Sequence, residues 1–283
     1  MTEATARLEA RFSTVRGATQ LAHSYCSAPL KIAKTFPLDG AQIGVCVMDC
    51  SPGLLAGDHY QFDWRLDEGA SVFLTNQSFT RVHPSRERPC SQRQRISVAR
   101  GAVLEYFPEP VMLFRDAALC SESEVAIEPG GTLLMSDILC AGRIAREEAF
   151  QFHSWHSRLR VRYGDELIFC SQTRVCPHER DPRTRGAWAR WTHWGNFTLF
   201  TDRLRPPFDG EIVQKLRAVT ERHPAIWSGV SLTYRHGVIV SMLGERAWDL
   251  QEAVRQLREV VREALTPAYT AYCGVAAHNW LPG

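Results

Sequence analysis

Apolar and polar residues alternate along most of the first two hundred residues, with the period of two that is typical of half-buried β-strands. The alternation is clear in residues 8–12 and 158–163. Residues that favour turns recur about every ten positions, as in residues 67–69 and 163–165. Short strands at this spacing predict a mainly β fold.

The turns also form a weak repeat, in which a strand, a polar turn with glycine and an apolar strand follow one another. The four units span residues 61–74, 94–106, 123–135 and 158–169, and their glycines are Gly69, Gly101, Gly131 and Gly164. Because stacked units bury what a single hairpin leaves exposed, the repeat predicts a stacked-hairpin or β-helix-like body. An ordinary meander with similar spacing is the alternative.

Two segments in the C-terminal third have the period of an amphipathic helix. Asp209 can cap a helix that runs to Pro224. A longer helix is predicted from about Trp248 to Leu265, with an apolar stripe on one face and Pro267 as its stop. Between them, residues 230–234 and 238–243 predict a strand pair.

This pattern predicts a single domain over residues 1–283. It consists of a β body (1–205), a helix–strand–strand–helix element (206–266) and a tail (267–283). The tail is aperiodic, yet it holds Tyr269, Tyr272 and Trp280. Such aromatic side chains are enriched at interfaces, so these three residues are the predicted partner-binding positions.

Composition narrows the function classes. The 283 residues carry a formal net charge of +2, which favours neither nucleic acid nor a membrane as a partner. The first residues are polar and no apolar stretch approaches the length of a membrane span, so we expect a cytoplasmic protein. Nine cysteines in such a protein indicate reduced thiols.

Familiar catalytic motifs are absent from the sequence. It contains no phosphate-binding loop, no dinucleotide fingerprint and no nucleophile elbow, so we expect a protein that is not an enzyme. Cys176-Pro177-His178 can hold a soft metal ion if a third ligand comes from elsewhere. A plain surface loop is the alternative.

Two carboxylates stand out by their surroundings. Asp58 closes the run 51–58, in which Gly53 and Gly57 frame an apolar pair. The alternative for Asp58 is a cap on its own turn. Asp137 lies in an apolar segment that ends at Gly142. A buried aspartate is costly unless it is paired or hydrated, so Asp137 predicts an acidic lining for a cation. The alternative is a salt bridge with Arg143 or Arg115.

Four segments, in the same order and at the same separations, resemble the urease accessory protein UreD, also called UreH. They are Pro-Gly-Leu-Leu-Ala-Gly-Asp (52–58), Thr-Asn-Gln-Ser-Phe-Thr-Arg-Val (75–82), Leu-Glu-Tyr-Phe-Pro-Glu-Pro (104–110) and Asp-Ile-Leu-Cys-Ala-Gly-Arg (137–143). The chain departs from the family pattern at Pro52 and Ala56, where glycine is usual, and at Cys170, where a carboxylate is usual.

The resemblance implies a urease maturation chaperone with a mostly β fold and two helices. Such a protein acts with UreF and the GTPase UreG, docks on apo-urease, and passes Ni²⁺ transiently without a tightly bound cofactor. It also implies that UreF contacts the C-terminal region. The candidate nickel-path residues within the matching segments are Asp58, Asp137, Thr80 and Glu105.

A second hypothesis stays open. A β-fold enzyme could use Asp58 with His59 or His83 as an acid–base or metal pair. That hypothesis requires the side chains to converge in one pocket.

Overall fold

The computed structural model describes residues 4–205 and 208–269, which form seventeen strands, a short 3-10 helix at Ile144–Arg146 and two α-helices. The strands are β1 (Ala6–Val15), β2 (Ala18–Cys26), β3 (Leu30–Pro37), β4 (Gln42–Asp49), β5 (His59–Leu66), β6 (Ser71–Asn76), β7 (Thr80–Val82), β8 (Cys90–Val98), β9 (Val103–Tyr106), β10 (Val111–Leu113), β11 (Ala118–Ile127), β12 (Thr132–Cys140), β13 (Ser154–Tyr163), β14 (Glu166–Val175), β15 (His193–Thr201), β16 (Ile226–Leu232) and β17 (Gly237–Gly244). The helices are α1 (Phe208–Glu221) and α2 (Ala247–Tyr269).

The strands form two sheets. Sheet 1 has the order β14-β13-β11-β8-β5-β1-β2, and sheet 2 has the order β16-β17-β15-β12-β9-β6-β4-β3, with β10 beside β12 and β7 beside β10. The centre of each sheet is parallel, whereas its ends are closed by antiparallel strands. Buried residues from both sheets form one continuous core between them.

The chain passes from one sheet to the other in successive coils, so the predicted β-helix-like body is confirmed. In the first three repeat units the two strands lie in different sheets, as β5 and β6 do. The first strands of these units, β5, β8 and β11, are parallel neighbours in sheet 1, and the second strands, β6, β9 and β12, are parallel neighbours in sheet 2. The fourth unit is an antiparallel hairpin of β13 and β14. The repeat therefore consists of three arches and one hairpin.

The repeated glycines form one corner of this coil. The amide of Gly69 donates to the carbonyl of Arg100, and the amide of Gly101 donates to that of Gly130, at 3.1 and 3.2 Å. Gly69 and Gly101 have positive φ, as does Gly130, which takes this role in the third unit in place of the predicted Gly131. A residue without a Cβ suits this conformation, so the glycine period marks the bend between the sheets.

Sheet 2 is buried on both faces. Its inner face meets sheet 1, and its outer face carries a second apolar cluster with α1 and α2. Leu134 and Ile138 of β12 belong to this outer cluster, whereas Met135 and Leu139 belong to the core between the sheets. The alternation of the strand thus assigns each residue of β12 to one face.

The helices and the intervening strands lie close to their predicted places. Helix α1 begins at Phe208, so Asp209 lies in its first turn and is not its N-cap as predicted. The helix ends at Glu221, before Pro224, and β17 includes the predicted segment 238–243. Strand β16 begins four residues earlier than predicted. The prediction that Pro267 ends the last helix is wrong, because α2 continues to Tyr269. Only two residues of α2 follow Pro267, so the missing amide donor of proline disturbs only the end of the helix.

Strand β3 lies at the edge of sheet 2. It pairs with β4, and the register shifts between Ile32 and Thr35. Lys31 and Lys34 lie on this strand, and Pro37 ends it. The edge is thus irregular and charged.

Candidate functional site

Asp137 faces the space between the two sheets. It lines a small, partly open cleft together with Met135 and Asn196. Asn196 is its direct partner on β15. The two polar side chains are therefore neighbours on the inner face of sheet 2.

Polar side chains of sheet 1 cover the same cleft. Ser157 of β13 and Thr173 of β14 are register partners and line it, as does Ser171. The side-chain oxygen of Asn196 is buried and makes no hydrogen bond with any described residue. Buried polar atoms of this kind are normally satisfied by water. The cleft is therefore suited to hold water beside a carboxylate.

Burial raises the pKa of Asp137 from an ordinary 3.8 to about 6. The salt bridges considered for it do not form, because Arg143 pairs with Glu148 at 2.6 Å and Arg115 donates to Gln151 at 2.7 Å. Among the described residues Asp137 has no ion pair. At neutral pH this carboxylate is an uncompensated negative charge, which a cation would stabilise.

The polar lining continues to the neighbouring coil. Tyr106 of β9 is the register partner of Met135. Its pKa is raised by burial and then by the charge of Asp137. The side chain of Gln94, on sheet 1, interacts with that of Tyr106. The side-chain oxygen of Gln94 is buried and has no hydrogen-bond partner among the described residues. Asp137 is thus the acid in a row of neutral polar groups.

Asp137→Asn is expected to stabilise the protein at alkaline pH. Above its raised pKa the folded state holds an ionised carboxylate in a poorly solvated site, so stability falls as the pH rises from 3.8 to about 6. Removing the charge should add up to about 3 kcal/mol at pH 8 and little at pH 4. Thermal melting of both proteins across this range measures it. A variant that melts below the wild type at pH 8 would contradict the assignment.

Asp58 caps its own turn. Its carboxylate accepts a hydrogen bond from the amide of Leu55 at 2.7 Å, and its amide donates to the carbonyl of Leu55 at 2.9 Å. Gly53 and Gly57 both have positive φ. The amide of Gly57 donates to the carbonyl of Arg88, which ties the turn to the next coil. The geometry favours the turn-capping alternative for Asp58.

The histidines proposed to act with Asp58 bond elsewhere. His59 contacts Ser91 through Nδ1 and Gln61 through Nε2. His83 bonds the carbonyl of Pro52 at 3.1 Å and packs its ring against Phe114. No hydrogen bond or ion pair joins Asp58 to either histidine in the described residues. The convergent pocket required by the enzyme hypothesis is not formed by these side chains.

The other two path candidates lie apart from the cleft. Thr80 begins β7 and lines a surface cleft with Asp49 and Asn76. The register places Thr80 two strands from Leu139, about 10 Å away. Glu105 is completely buried on the outer face of sheet 2, where Arg258 of α2 lies 2.5 Å from its carboxylate. Glu105 and Asp137 therefore face opposite sides of sheet 2.

Comparison with known proteins decides the family. A model of the family described as "UreD urease accessory protein" matches residues 4–272. The chain belongs to the UreD family. A urease accessory protein UreD of Acetivibrio thermocellus is 32% identical over 256 residues, which cover 90% of this chain and 96% of the relative. Those of Natronomonas pharaonis and Haloarcula marismortui are 30% identical and cover 87% and 92% of this chain, and 83% and 87% of their own. These relatives are named accessory proteins, which agrees with a role other than catalysis.

The lining of the cleft was not predicted from the sequence of this UreD family member. In the sequence, its polar lining residues look like ordinary strand residues; they include Asn196, Ser157, Ser171 and Thr173. The sequence did contain one indication of this lining. Ser157 lies on the same inward-facing side of β13 as Leu159 and Val161. A polar residue at an inward position of an alternating strand marks such a lining.

Some predictions for this family member remain untested. Tyr272 and Trp280 lie outside the described residues, as does the side chain of Tyr269, so their contact with UreF stays a prediction.

Within the described ranges, no three His, Cys, Asp or Glu side chains are arranged to hold a metal ion. None of the described helices is long and apolar enough to cross a membrane.

Proposed function

We propose that this urease accessory protein conducts Ni²⁺ to apo-urease through the polar cleft between its sheets. The observation that carries the proposal is Asp137, a partly buried carboxylate without an ion pair among the described residues, beside neutral polar groups between two apolar sheets. A carboxylate in that position raises the free energy of the folded state, which is typical of a group kept for function.

The chemistry of the lining suits passage better than storage. A conduit must bind its ion weakly enough to release it. Carboxylate, hydroxyl and amide oxygens hold Ni²⁺ less tightly than a closed cage of thiolates and imidazoles. Asp137 would attract the cation, and the hydroxyls of Ser157 and Thr173 would replace part of its water.

Membership of the family supports a proposal about the partners. We propose that the protein acts in the cytoplasm in a complex with UreF and the GTPase UreG, and that the complex docks on apo-urease. The sequence has no phosphate-binding loop, which is consistent with GTP hydrolysis by a partner. In this arrangement Ni²⁺ is cargo and the protein needs no resident cofactor.

The test is activation of urease co-expressed with the accessory proteins. Asp137→Asn and Asp137→Ala are expected to lower the nickel content and activity of purified urease about tenfold, equivalent to about 1.4 kcal/mol at the limiting step. Glu124→Gln, on the exposed outer face of sheet 1, is the matched control. Wild-type activation by both Asp137 variants would refute the path. Melting curves of the variants show whether a loss of activation comes from a blocked nickel path or from unfolding of the protein.

A further inference from the structure

A thiol and an imidazole meet on the outer face of sheet 1, away from the cleft. Sγ of Cys176 lies 3.8 Å from Nε2 of His156. Cys176 follows the end of β14 and is buried, whereas His156 on β13 is exposed to solvent. The pair is therefore rigid on one side and accessible on the other.

We propose that Cys176 and His156 form a surface site for a borderline transition-metal ion such as Ni²⁺, Co²⁺ or Zn²⁺. Two ligands of one tetrahedral ion, with a metal–sulfur bond of about 2.3 Å and a metal–nitrogen bond of about 2.0 Å, lie about 3.5 Å apart. The observed separation is close to this value. Binding replaces the thiol proton by the metal and releases that proton to solvent.

Two further donors lie beside the pair. Cys120 is the register partner of His156 on the adjacent strand β11, so both side chains project from the same face. Glu179 interacts with Cys176 and is paired with Arg174 at 2.6 Å. That ion pair is exposed, and such pairs stabilise a protein by at most about 1 kcal/mol. Glu179 can therefore exchange Arg174 for a metal at little cost.

The structure changes the ligand set that the sequence suggests. His178 is adjacent to Cys176 in the chain, but its ring stacks on that of His153, with centroids 4.6 Å apart. His156, twenty residues away, approaches the thiol instead. Because three donors do not yet converge among the described residues, the pair binds first. Rotation of Cys120 or Glu179, together with water, completes the coordination.

This site does not rest on the proposed passage through the cleft. It lies on the opposite face of sheet 1, since Ser157, the next residue after His156, lines the cleft. Metal binding by the isolated chain can therefore succeed or fail independently of urease activation.

The experiment is titration of the reduced full-length protein with Co²⁺, and then competition with Ni²⁺. We expect a near-ultraviolet thiolate-to-metal absorption band that Ni²⁺ displaces. Cys176→Ser should abolish the band, and His156→Ala should weaken Co²⁺ binding about tenfold or more, comparable to at least 1.4 kcal/mol. Cys170→Ser is the matched control. It removes an exposed thiol from β14, the strand that directly precedes Cys176.

Three results would overturn the site: no thiolate band in the wild type, an unchanged band in Cys176→Ser, or equal loss in Cys170→Ser. His156 is exposed, so His156→Ala should fold normally even if Cys176→Ser does not. Unchanged binding by a folded His156→Ala protein would by itself refute the proposal.

Discussion

Glu105→Gln is expected to lower the free energy of unfolding by about 3–5 kcal/mol, because it leaves a guanidinium without its anion at a buried contact. Glu105 is completely buried, and Arg258 binds it at 2.5 Å. Arg262 lies 3.7 Å from the other carboxylate oxygen. The guanidinium of Arg258 also stacks over Phe73 at 4.6 Å. This single carboxylate therefore joins helix α2 to sheet 2.

Urea denaturation of the purified chain measures this effect. Glu259→Gln is the matched control, because Glu259 pairs with Arg255 on the same helix but is half exposed. That control should change stability by less than about 1 kcal/mol. A Glu105→Gln protein as stable as the control would show that the buried pair contributes little. Replacing Glu105 and Arg258 together by leucine and methionine should recover much of the loss.

Gly142→Ala is expected to cost at least about 3 kcal/mol, or to prevent folding. Gly142 has φ +145°, a conformation that side chains rarely adopt. A Cβ there would overlap the carbonyl oxygen of Glu148. Glu148 cannot easily move away from the added Cβ, because Arg143 donates two short hydrogen bonds to its carboxylate.

Gly57→Ala is the control for conformation alone. Gly57 has φ +87°, but its added Cβ would meet nothing closer than 3.6 Å. We expect a loss of about 1–2 kcal/mol there, the usual cost of a left-handed backbone. Gly53→Ala should resemble Gly142→Ala, because its Cβ would overlap the carbonyl oxygen of Arg81. Thermal melting compares the three variants, and equal losses at Gly57 and Gly142 would contradict the steric argument.

Local pattern predicted the strands and the bends of this fold but not how the strands pair. An arch and a hairpin share the same sequence pattern of strand, glycine turn and strand. Which of them forms depends on whether a neighbouring coil offers a partner. The last unit, β13 and β14, closes on itself because β14 is the outer strand of sheet 1.

The candidate site was predictable only in part for a similar reason. Asp137 stands out because a carboxylate in an apolar segment is costly. Glu105 looks alike in sequence, yet its partner Arg258 is 153 residues away and faces it only after α2 packs on sheet 2. Sequence spacing does not distinguish an acid without an ion-pair partner from an acid that pairs with a distant arginine.

The irregular edge strand β3 has a consequence for self-association. The chain has three lysines, and two of them, Lys31 and Lys34, lie on this strand. Charge, a bulge and a terminal proline are the devices by which natural sheets block the addition of a foreign strand. An edge strand without these features would offer its unpaired backbone groups as a template for a second molecule. At β3, growth of sheet 2 into a fibril is therefore disfavoured.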